Sequence, residues 1–565
     1  MLDGRSAAGK ARLEEFRVRG VWGDASLLDH WALSVKSSPL KEAVVDARGR
    51  RPTYGQVDVE SDRLAAYLRG DSIGAGDVVA VQLPNWSEYL TVVVACWKLG
   101  AVVLPVVTTL RHADLAEVLE RADARVLVQP VCFRNTDYVD LARRVRGSLR
   151  EPGLVILVGD GLPPDCGNDV GLLSGLISRT DGLPTQARTP GRGSDVAAVL
   201  FTSGSEAKPK GVVLSHDNII ASERSFAHAL RIGHSDRMFM PAPIGHATGF
   251  LHGLVMPVMV GATSVLLDVF DGRRALAMLN RESCTCGMAP PTMVSAIVDV
   301  CEQEGTALCD SLRFLCCGGS PVPRQLLARV RRHGTRLYSV YGSTESAPHT
   351  LTMCLDDDER VLTTDGRAVA DVEVKVVDPR TRQEVDPEVE GEEASRGPNV
   401  FLGYLGDPEL TSSVLDADGW YYSGDLCVMD TEGYIRITGR LTDVIIRGGE
   451  NISPVEVEDV VRDYPGVREV AVVAMPDPVM GERACAFVVM EQGHAPVTTA
   501  SLKDLFVGRG LAKYKIPERV VIVDALPFTD SGKVCKPELR ARIRQLLRDE
   551  ALTDVHAPSI EGVSS

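Results

Sequence analysis

Residues 200–212 read Leu-Phe-Thr-Ser-Gly-Ser-Glu-Ala-Lys-Pro-Lys-Gly-Val. The apolar run 197–201 predicts a strand and the run 212–214 another; hydroxyls, a glycine and two lysines around a proline lie between them. Hydroxyls and free backbone N–H groups suit phosphate oxygens, and glycine lets the backbone approach them closely. The segment is not a Walker A loop, which needs Gly-Lys-Ser/Thr opening a helix; here Gly211 follows Lys210 and a strand follows the glycine. The reading is a nucleotide grip made as a loop between two strands.

Outward from this loop, residues 40–150 alternate short apolar strands (78–83, 101–107, 124–129) with helical patterns (86–99, 110–122). That βαβ rhythm predicts a parallel sheet covered by helices. It resumes over 197–340, after a polar, Gly/Pro-rich stretch, 151–195, expected to be a surface connection. Short strands with Asp/Gly turns over 366–437 predict a β-rich subdomain. A second domain is expected from about Arg440. Its first helix is signalled by Ser453-Pro454-Val455-Glu456, a serine cap with proline in the first turn and a glutamate to close the box. Valines 457, 460 and 461 supply that helix with an apolar face, a strand follows at 467–474, and a basic helix at 537–548 precedes a polar tail, 549–565, expected to lack order.

At 565 residues the chain exceeds what one core supports, so two or more domains are expected. A net charge of −16 opposes nucleic acid and anionic membrane surfaces as partners. The thirteen cysteines lack zinc-ligand spacing and paired C-x-x-C motifs, which predicts buried reduced thiols in a cytoplasmic protein. The early residues have no signal-peptide core. The apolar runs 90–107 and 251–270 contain Gly100 and Gly261 and read as buried helices turning into strands, with no membrane span. The chain has only twelve lysines among its 61 basic residues, and six of them fall in two places: Lys208 and Lys210, then Lys513, Lys515, Lys533 and Lys536. In an arginine-rich chain such clustering points to sites that need a compact ammonium; chance clustering in loops is the plain alternative.

Four more segments carry chemistry. Tyr341-Gly342-Ser343-Thr344-Glu345 follows a predicted strand, 336–340, and sets a hydroxyl beside a carboxylate, suited to Mg²⁺ over phosphates. Tyr422-Ser423-Gly424-Asp425 places an aspartate after a tight turn, able to accept two ribose hydroxyls. Gly439-Arg440 and Gly448-Gly449 bracket a short apolar strand. Phe528-Thr529-Asp530-Ser531-Gly532-Lys533 presents one lysine on a flexible loop.

In this order, from about Asp29 to Leu547, these segments resemble the adenylate-forming superfamily of acyl-CoA synthetases, luciferases and peptide-synthetase adenylation domains. Residues 241–254, 390–401 and 421–426 are most similar in wording to bacterial short- and medium-chain fatty-acyl-CoA synthetases. The resemblance implies an α/β fold: a large N-terminal domain (1–439) of two α/β lobes plus a β-rich subdomain, then a small mobile α+β domain (440–548) carrying the catalytic lysine. It implies attack of a carboxylate on the α-phosphate of ATP, then displacement of AMP by a thiol, usually of coenzyme A.

By the same resemblance Thr202, Ser203, Gly204, Ser205, Lys208 and Lys210 form the phosphate loop. Gly318, Gly319 and Ser320 line the adenine and the acyl pocket, and Tyr341 and Gly342 are further cofactor-binding positions. Thr344 and Glu345 take the phosphate and magnesium positions, and Asp425 and Arg440 the ribose. Lys533 bridges carboxylate and nucleotide, and His246 gates the acyl pocket unless it is a core histidine. Phe250 and residues 316–321 are further pocket candidates. Gly448 and Gly449 leave room for a pantetheine arm.

Two departures bear on mechanism. Glu206-Ala207 replaces a hydroxyl and a glycine of the family loop, and Thr442 stands where the family has an aspartate or lysine hinge. Competing readings keep the adenylation and change a substrate: loading a carrier-protein phosphopantetheine, or activating nitrite for transfer to an aromatic amine. A nucleotide-holding protein without turnover is opposed by Lys533 and Glu345. A homodimer through the β subdomain is a further expectation.

Overall fold

The computed structural model describes residues 14–151, 153–161, 170–179, 191–202, 209–448, 450–509, 511–529 and 532–555. The chain divides into two compact units. The first comprises residues 1–377, 393–423 and 429–436; the second comprises 378–392, 424–428 and 437–565.

Two eight-stranded sheets organise the first unit. One runs in the order Gly403–Tyr404, Lys210–Ser215, Val196–Thr202, Val102–Pro105, Val78–Val81, Ala124–Pro130, Leu154–Val158, Val170–Leu172. Its middle is parallel, as the βαβ rhythm requires, and its Gly403 end is antiparallel. The other sheet runs Val44–Asp46, Thr263–Leu266, Arg237–Met240, Cys286–Ala289, Phe314–Gly318, Arg336–Ser343, Ser346–Leu351, Arg367–Ala368. A smaller sheet joins Glu373–Val377, Gly391–Arg396, Tyr421–Met429 and Ile435–Arg440, where the β-rich subdomain was expected.

Both long apolar runs behave as buried helix, glycine, strand. Helix Glu88–Leu99 is buried throughout and ends at Gly100 with φ of 70°, before strand Val102–Pro105. A π-helix, Thr248–Val255, continues as helix Met256–Val260, and Gly261 at φ 68° turns it into Thr263–Leu266. Among the described residues no helix is long and apolar enough to cross a membrane. Lys98, inside the first run, is tolerated because Asp58, Asp62 and Ser61 surround its ammonium at 2.7–2.9 Å.

The stretch 151–195 differs from expectation. It contributes Leu154–Val158, buried at every position, as a strand of the first sheet. Five consecutive apolar residues there are the signature of a strand covered on both faces, masked in sequence by the glycines and prolines around them.

The second unit shows strict two-residue periodicity. Strands Val467–Asp477 and Gly481–Met490 pair antiparallel, and Arg519–Ile522 joins in parallel. Val470, Val472, Ala484, Ala486 and Val488 pack with helices Pro454–Arg462 and Thr499–Gly508. The alternate residues Ala471, Val473, Cys485, Phe487 and Val489 pack with Leu539 and Ile543 of the last helix, Lys536–Val555. That helix runs seven residues past Arg548, to Val555, into the stretch expected to be an unstructured tail. At the first helix, Ser453 caps Glu456 N–H as expected, but the glutamate does not close the box; its two oxygens accept from Lys515 Nζ at 2.8 and 2.7 Å.

Candidate active site

The serine-rich loop springs from an antiparallel hairpin. Strand Val196–Thr202 pairs with Lys210–Ser215, and the register sets Thr202 opposite Lys210, so the last strand pair closes the loop's base. Ser203, Gly204, Ser205, Glu206, Ala207 and Lys208 lie outside the described residues. Gly211 is a packing glycine: a Cβ there would come within 3.1 Å of both Leu405 and Phe201 side chains. Arg121, from helix His112–Arg121, donates to the Pro209 carbonyl and lies over the Phe201 ring, so one guanidinium touches both sides of the loop base. Sequence reasoning missed Arg121; its contacts are long-range and no motif marks them.

Thr344 and Glu345 form the two-residue turn of a second hairpin, with Ser343 opposite Ser346. The strand before it extends to Ser343, so Tyr341 and Gly342 are strand residues, where the sequence suggested an end near Val340. Glu345 is 8% exposed. Its Oε1 accepts from the Tyr404 hydroxyl at 2.8 Å, and its carbonyl accepts from Phe401 N at 2.8 Å. Tyr404 belongs to the edge strand Gly403–Tyr404, which pairs with Val212 and Val213 just past the serine-rich loop. Lys210 Nζ lies 5.7 Å from the centre of the same ring. One tyrosine thus connects the base of the loop to the acid of the second motif. It stands three residues beyond the family-like segment 390–401, and only the strand pairing reveals its role.

Gly318 ends strand Phe314–Gly318 opposite Val340, where a Cβ would meet the Val340 carbonyl oxygen at 2.3 Å. Gly319 follows at φ 83° and Ser320 is half-buried. His246 lies at the entry to the π-helix, half-buried, and its carbonyl accepts from Phe250 N at 2.9 Å. π-Turns cluster at functional sites because one extra residue re-aims a side chain. Phe250 is fully buried in the main core, and Cys316 and Cys317 are likewise buried strand residues.

In the second unit, Asp425 sits in strand Tyr421–Met429, and its Oδ1 lies 3.4 Å from Arg440 Nε, so the two proposed ribose contacts are neighbours. Thr442 is exposed in a turn closed by Asp443 and Val444 N–H groups on the Arg440 carbonyl. With Asp443, Val444, Glu482, Arg540 and Arg544 it lines a cavity of about 280 Å³, across which Asp443 and Arg540 pair. Gly448 has φ 56°, and a Cβ there would lie 2.5 Å from Met480 Cε; Gly449 lies outside the described residues. Lys533 is exposed on a tight loop whose ends pair Phe528 with Val534; its carbonyl accepts from Thr529 N at 2.7 Å. Asp530 and Ser531 of that loop lie outside the described residues. The neighbouring Lys515 and Lys536 are occupied by Glu456 and Glu458, which gives those members of the lysine cluster a structural role.

The twelve described cysteines are all free. Burial pushes the thiols of Cys96, Cys286 and Cys485 up to about 12, which leaves them protonated and inert.

Comparison with known proteins accords with this geometry. A family model described as AMP-binding enzyme matches residues 31–405, and one described as AMP-binding enzyme C-terminal domain matches 456–533. The chain is 44% identical to the medium-chain fatty-acid–CoA ligase of Escherichia coli K12, covering 96% of this chain and 95% of that protein. It is 34% identical to a feruloyl-CoA synthase from an Amycolatopsis species, over 87% of this chain and 94% of that one. ATP-bound MatB from Rhodopseudomonas palustris superposes with a TM-score of 0.81 at 28% identity, covering 93% of this chain and all of that structure. The chain belongs to the AMP-binding family of adenylate-forming enzymes.

Proposed function

We propose that this protein is an AMP-forming acid–CoA ligase acting on a medium-chain fatty acid. The observation that carries the reading is the single unit formed by the Thr202–Lys210 loop base, the Tyr404 ring and the Glu345 carboxylate. It sets a cation over the ring and a hard-oxygen acid at the hydroxyl of one tyrosine, an arrangement for gripping a triphosphate and its Mg²⁺. Similarity to the Escherichia coli ligase over nearly the whole of both chains supports the acid class and CoA as acceptor.

In the first step a carboxylate oxygen of the acid attacks the α-phosphorus of ATP and pyrophosphate leaves. Both reactants are anions, so fixed cations must offset their repulsion. Lys210 and the loop serve the leaving phosphates, and Lys533 serves the carboxylate and the α-phosphate. Tyr341 walls the nucleotide base, since an aromatic ring stacks well on any base. Mg²⁺ fits Glu345 and Thr344 because it takes hard oxygens and keeps most ligands from phosphate and water. Among the described residues no group of three or more His, Cys, Asp or Glu forms a protein cage for an ion, and such a site needs none. In the second step the CoA sulfur attacks the acyl carbon and AMP leaves with the bonding pair. Free buried thiols support a reducing, cytoplasmic setting.

The test is incubation with ATP, Mg²⁺, CoA and acids of graded chain length, aryl acids and nitrite, reading AMP and pyrophosphate. Medium-chain acids should give both products and consume CoA. ADP as product overturns the reading, and adenylation without CoA consumption turns it toward a carrier-protein or amine acceptor.

A further inference from the structure

Glu393, in strand Gly391–Arg396, has no solvent exposure. Its Oε1 lies 3.0 Å from His349 Nδ1, and its Oε2 accepts from the Tyr341 hydroxyl at 3.2 Å. His349 is equally buried, with its ring edge-on to Tyr341 at 5.2 Å and to Tyr421 at 5.9 Å. Tyr421 in turn meets Phe401, and Phe401 meets Tyr404, the tyrosine that holds Glu345.

An acid in a fully buried strand position costs several kcal/mol unless its oxygens are hydrogen-bonded, and an apolar side chain would pack there more cheaply. The strand supplies no other reason for a carboxylate at this position: its neighbours Gly391, Glu392, Ala394 and Ser395 are buried too. Both oxygens are spent on the two strands that form the Thr344–Glu345 hairpin, Tyr341 from one and His349 from the other. Tyr341 itself is half-buried. Its hydroxyl is tied inward, which fixes the ring's rotation and leaves the remaining ring surface to whatever lies against the motif.

We propose that Glu393 is a positioning residue for the nucleotide: by holding the Tyr341 hydroxyl, with His349 steadying its other oxygen, it sets the plane of the ring against which the base lies. The inference rests on the reading of Tyr341 as a nucleotide contact and extends it to an acid–imidazole pair that never touches substrate.

The experiment measures AMP affinity by titration calorimetry, which needs no turnover, and KM for ATP and for the acid. Glu393→Leu, which leaves no acceptor for the hydroxyl, should weaken AMP and raise KM for ATP by about tenfold, with KM for the acid within about twofold of the parent, because only nucleotide binding depends on the ring. Tyr341→Phe, which leaves the Glu393–His349 pair in place, should weaken AMP to a similar degree. In the Tyr341→Phe background Glu393→Leu should then add less than about twofold, since both act through one hydroxyl. Unchanged AMP affinity in either single variant overturns the proposal, as do multiplicative effects in the double variant or an equal rise in both KM values. A parent that binds AMP but activates no acid would refute the ligase reading and leave this test intact.

Discussion

The Tyr404 hydroxyl donates to Glu345 Oε1 at 2.8 Å from a strand that pairs with the one leaving the serine-rich loop. Two motifs separated by more than a hundred residues in sequence are thereby fixed to one another by a side chain that belongs to neither. Tyr404→Phe keeps the ring beneath Lys210 and removes only the hydrogen bond. The expected outcome is a raised Mg²⁺ requirement and a fall of about tenfold in pyrophosphate release, consistent with loss of one bond to a charged group. An unchanged Mg²⁺ titration would show that Glu345 needs no orienting partner.

Lys533 is exposed on its tight loop, where its carbonyl accepts from Thr529 N at 2.7 Å. Lys533→Ala should lower adenylate formation by about a hundredfold or more, the scale of losing one preorganised charge at the reacting phosphate. CoA transfer from supplied acyl-AMP should stay within about threefold of the parent, since the leaving phosphates are already gone at that stage. Rapid-quench measurement of each half-reaction checks this, and equal loss of both contradicts the assigned role.

Thr442 is exposed beside the Asp443–Arg540 pair. Its branched Cβ restricts the backbone more than aspartate or lysine would. Thr442→Asp should therefore alter the thioester-forming rate by a few-fold and leave ATP–pyrophosphate exchange unchanged. A change confined to exchange would remove Thr442 from the second step.

His216 opens helix His216–Leu230, and its Nδ1 accepts from Leu27 N at 3.2 Å. Burial lowers its pKa from 6.5 to about 4. The folded ring is neutral while the unfolded ring binds a proton below 6.5, so its contribution is present in full above that pH and is lost as pH falls through about 4. The difference amounts to up to about 3 kcal/mol. Protonation would also turn the Nδ1 acceptor into a donor facing another N–H. His216→Gln, with an acceptor and no titration, should flatten the fall in melting temperature between about pH 6.5 and pH 4. An equally steep fall in the variant would place the acid sensitivity elsewhere.

Much of this protein is written along the chain because local patterns report local physics. The two apolar runs ending at Gly100 and Gly261 were legible as helix, turn and strand, since only a left-handed residue reverses a buried helix so sharply. The Thr344–Glu345 motif was legible as following a strand because its hydroxyl and charge interrupt an apolar run. The strand Leu154–Val158 was lost among glycines and prolines, and the box at Ser453 failed because Lys515 offered Glu456 a charged partner that the local pattern does not contain.

The sequence alone therefore determined the family, the order of the motifs and the alternation that builds each core face, all of which depend on spacing within a few residues. Tertiary structure decided which side chains serve those motifs. Tyr404, Arg121 and the Glu393–His349 pair lie within ordinary-looking strands and helices, and act only because strand register sets them beside a distant loop. Register depends on pairing between remote segments, so no window of sequence could show it.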